Sequence, residues 1–134
     1  MTIDLCPTTC NICGGEVEYV EIRKIYGNHL KYSTGSGYCY HCKKCGALVS
    51  THKKRPKEAM GILADKEMSQ LRQKCHDMFD KLWKTKEERT AMYQKLADEL
   101  GIPFEDCHFA YFSKEQLKKL DTILIKLWRE KYDI

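Results

Sequence analysis

The sequence lacks several features that would assign it to a class at once. It has no apolar run near the 18 or so residues that a transmembrane helix needs, and no apolar segment at its N-terminus that would direct secretion. It also has no low-complexity segment, phosphate-binding loop or recognisable nucleophile. These absences favour a globular, cytoplasmic protein with no membrane partner, no evident small-molecule substrate and no enzymatic activity.

Cysteine is abundant by contrast, with eight residues in a chain of 134. Residues 10–14 and 42–46 both read Cys-x-x-Cys-Gly. Two thiolates at this spacing can bind one tetrahedral Zn²⁺, and the glycine relieves the sharp turn that this requires. The repeat predicts one structural zinc, held by Cys10, Cys13, Cys42 and Cys45.

Other uses of the cysteines remain open at this stage. A disulfide framework is the main alternative, although a reducing cytosol favours metal binding. Cys39 rivals Cys42 as a ligand, but only Cys42 repeats the first phrase together with its glycine. Cys75 and Cys107 each precede a histidine, and this indicates either a second metal site or, more simply, buried thiols.

The net charge of +4 belongs to the cysteine-rich half of the chain. Residues 1–60 hold nine Lys and Arg against five Asp and Glu, whereas residues 61–134 hold fourteen of each. No acid occurs between residues 43 and 57. A zinc module with such a cationic surface suits nucleic-acid phosphates, although a solvated surface is the simpler interpretation. The predicted phosphate contacts, called the basic stripe below, are Lys43, Lys44, Lys53, Lys54, Arg55 and Lys57.

The hydrophobic pattern predicts an α+β protein, a small antiparallel zinc ribbon over residues 1–60 and a three-helix unit packed on it over residues 61–134. Residues 16–26 alternate polar with apolar, as a half-buried strand does. Beyond Pro56, apolar residues recur at three- and four-residue steps. Capping boxes at Thr85 and Ser113 predict the starts of two helices, and Gly101 predicts the end of the first of them. Trp83 and Trp128 are expected in the helical core.

Several short motifs follow one another along the chain. They are Cys10–Gly14, Cys42–Val49 with His52, Gly61–Asp65, Leu71-Arg72, Cys75-His76, Phe79-Asp80, Leu82-Trp83, Arg89 with Tyr93, Leu96-Ala97 and Cys107–Phe109 with Phe112. In this order they resemble the motifs of bacterial and phage proteins known as zinc-finger-containing domain proteins. The resemblance covers roughly residues 8–125, and Ser50 departs from it, because the family usually has glycine there.

The resemblance implies a zinc ribbon joined to a helical unit in a phage or prophage protein. Likeness to the zinc ribbons at the ends of type I topoisomerases implies contact with DNA. The motifs also single out His52, His76, Asp80 and His108. His76 and Asp80 share a helical face, and we expect a buried polar clamp there rather than a chemical site.

These observations predict non-enzymatic binding of nucleic acid, with DNA favoured over RNA. The stripe would contact phosphates, and Tyr38 or Tyr40 would either stack on bases or pack on the hairpin. The alternative is an inhibitor or adaptor that binds a host nucleic-acid enzyme.

Overall fold

A computed structural model of the chain describes residues 4–27 and 35–132. Close contacts divide the chain into two compact units, Met1–Lys66 and Glu67–Ile134, called here the ribbon unit and the helical unit. The ribbon unit extends past residue 60 because the backbone of Ala64 pairs with that of Leu48. In the described ranges, no helix combines the length and the apolar character that crossing a membrane requires.

The ribbon unit contains an antiparallel sheet of three strands in the order β1-β2-β3. The strands are β1 (Val17–Glu21), β2 (Tyr38–Cys42) and β3 (Leu48–Ser50). Tyr40 lies opposite Tyr19 in β1 and opposite Val49 in β3. Because side chains alternate along a strand, these three residues share one face of the sheet with Cys42. We call this the metal face.

The predicted strand over residues 16–26 is too long. β1 ends at Glu21, and α1 (Arg23–Tyr26) follows as a single helical turn. The amides of Ile25 and Tyr26 both donate to the carbonyl of Ile22, whose side chain is buried. A short apolar alternation cannot distinguish a strand from such a turn, because Ile22 and Ile25 also fit a helical three-residue step.

The three predicted helices form the helical unit, except that the first residue of α2 belongs to the ribbon unit. They are α2 (Lys66–Asp80), α3 (Lys86–Leu100) and α4 (Lys114–Tyr132). Two 3₁₀ turns, Phe104–Asp106 and Phe109–Tyr111, connect α3 to α4. The predicted α+β class, a ribbon followed by helices, is therefore confirmed.

The sequence signals for the helix ends are also confirmed. The Thr85 hydroxyl accepts a hydrogen bond from the Glu88 amide, and Gly101 ends α3 in the left-handed conformation at φ 69°. Ser113 and Gln116 bond reciprocally, each side chain accepting from the other's amide at 3.0–3.2 Å. Each pair satisfies amides that would otherwise lack partners at a helix start.

The core of the helical unit is built on phenylalanine and leucine rather than on the tryptophans. The Phe79 ring lies 4.4 Å from that of Tyr93 and 5.5 Å from that of Phe109, measured between centroids. Trp83 and Trp128 are only half-buried, so their predicted place in the core is wrong. Helical periodicity gives the side of a helix that packs inward, but the residue at the edge of that side stays partly in water.

Phe79→Ala tests this core. Loss of a buried phenylalanine typically costs about 3–5 kcal/mol, because a cavity remains. Trp128→Ala is the matched comparison, since it removes a larger but half-exposed ring, and we expect it to cost less. Urea unfolding followed by circular dichroism measures both changes. An equal or larger loss for Trp128→Ala would contradict this account of the core.

Candidate metal centre

The first knuckle, residues 10–15, is a tight turn closed by two backbone hydrogen bonds. The Cys10 amide donates to the Gly15 carbonyl at 2.9 Å, and the Gly14 amide donates to the Cys10 carbonyl at 3.0 Å. Gly14 has φ 76°, where a side chain would be strained. The amides of Ile12 and Gly15 point at the sulfurs of Cys10 and Cys13, at 3.4 and 3.3 Å.

The second knuckle, residues 42–47, repeats this pattern. The Cys42 amide donates to the Ala47 carbonyl at 2.8 Å, and the Gly46 amide donates to the Cys42 carbonyl at 3.1 Å. Gly46 has φ 84°. The Cys45 amide lies 3.4 Å from the Cys42 sulfur. Each knuckle therefore directs backbone N–H groups at its own sulfurs, an arrangement that stabilises thiolates.

The two knuckles bring all four predicted ligands together. The sulfurs of Cys10, Cys13, Cys42 and Cys45 all lie within 4.8 Å of one another. Cys10 and Cys45 approach to 3.7 Å, and Cys13 and Cys42 to 3.4 Å. Zn–S bonds of about 2.3 Å in a tetrahedron would separate the sulfurs by about 3.8 Å. The geometry and the donor set both fit zinc, and the predicted single structural zinc is confirmed.

The cluster is anchored on one side and open on the other. Cys10 and Cys42 are buried, Cys13 is half-buried and Cys45 is exposed. Backbone amide donors, chiefly that of Cys45, lower the pKa of the Cys42 thiol to about 6. For Cys45, the Ala47 amide lowers the pKa, but partial desolvation by the surrounding atoms and the neighbouring thiols outweigh it and raise the pKa to about 12. Four adjacent thiols cannot all ionise without a cation among them, so this cluster suits a dication.

The remaining cysteines stand apart from this cluster. All eight are free, and the sulfur separations in the cluster are far beyond the roughly 2.05 Å of a disulfide. Cys39 occupies the opposite face of β2 from Cys42, and burial raises the pKa of its thiol to about 11. Cys75 and Cys107 are buried in the helical unit. Within the described part of the chain, no second group of metal-binding side chains comes together.

Gly15 is required where the two knuckles meet. A Cβ at this position would lie 2.7 Å from the Cβ of Lys44 and 3.0 Å from the Cys42 sulfur. Ala47 occupies the equivalent place in the second knuckle and carries its Cβ without conflict, buried in the ribbon core. The requirement at Gly15 therefore comes from close packing against the other knuckle and not from the turn itself.

Asn11 links the first knuckle to the end of the ribbon unit, a role that the sequence analysis missed. Its side-chain amide donates to the Leu63 carbonyl at 3.0 Å, and its carbonyl oxygen accepts from the Leu63 amide at 2.9 Å. Asn11 thus pairs with the backbone as a neighbouring strand would. The next residue, Ala64, pairs through its backbone with Leu48 of β3. Leu63 itself is fully buried beside Cys10 and Cys42 in the ribbon core.

The basic stripe lies on the surface of the ribbon unit. All six of its side chains are exposed. Residues 52–58 form a compact turn, in which the His52 amide donates to the Glu58 carbonyl and the Arg55 amide to the His52 carbonyl. The Tyr40 hydroxyl donates to the Lys57 carbonyl at 2.6 Å, and the Tyr19 hydroxyl to the Pro56 carbonyl at 2.5 Å. The tyrosines of the metal face therefore anchor the turn that carries most of the stripe.

The other polar residues singled out by sequence do not form a buried clamp. His76 and Asp80 are both exposed, and the His76 ring packs 4.9 Å from the Phe109 ring. The predicted buried clamp at these two residues is wrong. His108 is exposed beside a cavity of about 320 Å³ in the helical unit. The cavity is lined by Arg89, Thr90, Tyr93, Phe104, Glu105, Cys107 and His108.

The fold and the four-cysteine site together define a zinc ribbon. The sequence model of a zinc-finger-containing domain family, of unknown function, matches residues 6–130. The chain therefore belongs to this family, as its motifs suggest. No curated protein and no solved structure shows significant similarity to it.

Zinc content of cysteine variants tests the ligand set. Cys42→Ser should lose stoichiometric zinc and unfold the ribbon unit, because structural zinc contributes on the order of 10 kcal/mol to such small units. Cys39→Ser is the matched control, because Cys39 lies three residues away on the same strand and on its opposite face, and this variant should keep one zinc per chain. Elemental analysis of purified protein measures both. If Cys42→Ser retained its zinc and Cys39→Ser lost it, Cys39 and not Cys42 would be the fourth metal ligand.

Asn11→Ala tests the link to residue 63. It leaves the amide and carbonyl of Leu63 without their partners, and each such orphaned group typically costs about 1–3 kcal/mol. Ile12→Ala is the control, since Ile12 is the exposed neighbour in the same knuckle. Thermal unfolding of the zinc-loaded protein should show a clear loss for Asn11→Ala alone. Equal melting temperatures for the two variants would show that the bonds from Asn11 to Leu63 do not stabilise the ribbon unit.

Proposed function

We propose that the protein binds nucleic acid without catalysing a reaction on it, through the basic stripe of its ribbon unit. The observation that carries this proposal is the turn at residues 52–58, which the Tyr19 and Tyr40 hydroxyls anchor to the sheet and which presents several exposed cations. A fixed array of cations suits a polyanion, because less side-chain and loop entropy is lost on binding. DNA is favoured over RNA on the topoisomerase analogy alone.

The ion pairs of the stripe support this proposal and refine it. Arg55 pairs with Glu58 at 2.6 Å, and Lys43 lies 3.5 Å from Glu16. These two cations are partly neutralised by their own neighbours. Lys44, Lys53, Lys54 and Lys57 have no carboxylate partner among the described residues. These four lysines would therefore supply most of the counterion release on binding.

The zinc would act structurally in this function. Four thiolates fill a tetrahedral site and leave no position at which a water or a substrate could be activated. Cysteine ligands also need a reducing environment to stay free, which supports a cytoplasmic location. Resemblance to phage and prophage proteins supports an origin of that kind. An inhibitor or adaptor of a host nucleic-acid enzyme is the alternative role for the same surface.

Binding should depend strongly on salt. With three or four phosphate contacts, affinity should fall by about one to two orders of magnitude between about 50 and 200 mM salt. Replacing Lys53, Lys54 and Lys57 together by Ala should weaken binding to all sequences about equally and flatten the salt slope. Fluorescence anisotropy with labelled oligonucleotides measures both effects, and zinc content should stay unchanged.

The matched control replaces Lys86, Lys119 and Lys126 together by Ala. These lysines are exposed on the helical unit, so the net charge changes equally while the stripe stays intact. Equal losses of affinity in the two triple variants would indicate a general effect of net charge and would contradict binding through the basic stripe. No binding of the unaltered protein to any nucleic acid at low salt would refute the proposal, and the inhibitor or adaptor role would replace it.

A further inference from the structure

Three tyrosines form a continuous aromatic row on the metal face. The rings of Tyr19 and Tyr38 are stacked, with centroids 5.3 Å apart and planes only 2° from parallel. The Tyr40 ring lies 5.2 Å from that of Tyr19 at an angle of 58°. Tyr38 therefore stands at one end of this row and Tyr40 at the other. We call the three residues the tyrosine row.

The three tyrosines differ in exposure, and this difference shows which of them are explained by core packing and which are accessible to a ligand. Tyr40 is 8 % exposed and belongs to the ribbon core beside Cys42 and Val49. Tyr19 and Tyr38 are 36 % and 37 % exposed, and neither belongs to that core cluster. Packing thus accounts for Tyr40 but leaves a stacked, water-exposed pair. In this pair Tyr38, at the end of the row, has one ring face turned away from Tyr19, and an aromatic face of this kind is what bases stack on.

The row is joined directly to the basic stripe. The hydroxyls of Tyr19 and Tyr40 donate to consecutive carbonyls, those of Pro56 and Lys57. A tyrosine hydroxyl keeps its proton at neutral pH even at its ordinary pKa of about 10, and burial raises the pKa of both residues further, that of Tyr40 to about 12, so both hydroxyls can donate. Two hydrogen bonds therefore hold the backbone of the lysine-bearing turn against the tyrosine row.

We propose that the ribbon unit prefers single-stranded nucleic acid, with a base stacked on Tyr38 and the adjoining phosphates on the lysines of the 52–58 turn. This inference rests on the proposed function. A single strand offers free base faces beside its phosphates, whereas the bases of a duplex are stacked on one another and only its backbone meets the stripe. Tyr19 acts as a positioning residue, since it supports the Tyr38 ring and holds the turn through its hydroxyl.

The test compares one fluorescent DNA oligonucleotide of mixed sequence, alone and annealed to its complement, and its RNA counterpart. Tyr38→Leu should weaken single-strand binding by about 5- to 150-fold, the range expected for loss of one stacked base. Duplex affinity should change little. Tyr38→Phe keeps the ring and should retain single-strand binding. Tyr132→Leu, which removes an exposed tyrosine of the helical unit, is the control.

A second measurement uses the unaltered protein, so that it holds even if Tyr38→Leu fails to fold. The ring protons of Tyr38 should shift upfield in NMR spectra when the single strand is added, because a stacked base shields them. The duplex should produce no such shift. Tyr19→Phe should keep the stacked pair but weaken single-strand binding, since the turn loses its bond to Pro56.

The outcomes separate this inference from the proposed function. If binding depends on salt, single strand and duplex bind with equal affinity, and Tyr38→Leu has no effect, the preference for single strands is refuted. Phosphate binding by the basic stripe would still stand. Single-strand binding that leaves the Tyr38 ring protons unshifted would refute the inference in the same way. Failure to bind either form would refute the proposed function itself. Equal binding of the DNA and RNA single strands would show that the bases and phosphates, and not the sugar, are recognised.

Discussion

The structure of the ribbon unit depends on one interaction, the convergence of four thiols from two turns that are distant in the chain. The sheet contributes few large apolar side chains, so attraction to a shared metal must supply much of its stability. Cys42 lies on the same face of β2 as Tyr40, and the site therefore fixes which face of the sheet is covered. The tyrosine row and the turn at residues 52–58 follow from that choice, because their hydrogen bonds start from this face.

Much of the fold could be predicted from local patterns in the sequence. The Cys-x-x-Cys-Gly phrase predicts a knuckle because the turn, its left-handed glycine and its ligand spacing all lie within five residues. Thr85 and Gly101 mark helix ends for the same reason, since each acts on amides or carbonyls within one turn. The choice of Cys42 over Cys39 also came from local repetition, and strand alternation then places these two residues on opposite faces.

Long-range pairing explains what the sequence did not predict. Asn11 resembles any polar turn residue, and nothing near it indicates that it bonds to Leu63, which lies 52 residues away. Tyr19 alternates as an ordinary strand residue, and its partner carbonyl at Pro56 depends on a turn whose position only the folded sheet determines. The prediction that Trp128 lies in the core failed for a related reason. Periodicity shows which side of a helix faces inward, but not how completely neighbouring elements cover a given side chain.

The pairing of Asn11 with Leu63 also sets an order of events during synthesis. The first knuckle leaves the ribosome with only two of the four thiols, and the 28 residues between Cys13 and Cys42 separate it from the others. At about 5–20 residues per second, the nascent chain carries this half-site for seconds. Even with all four thiols available, Asn11 must wait for Leu63 to emerge. The ribbon unit is therefore completed only when almost the last of its residues has been synthesised.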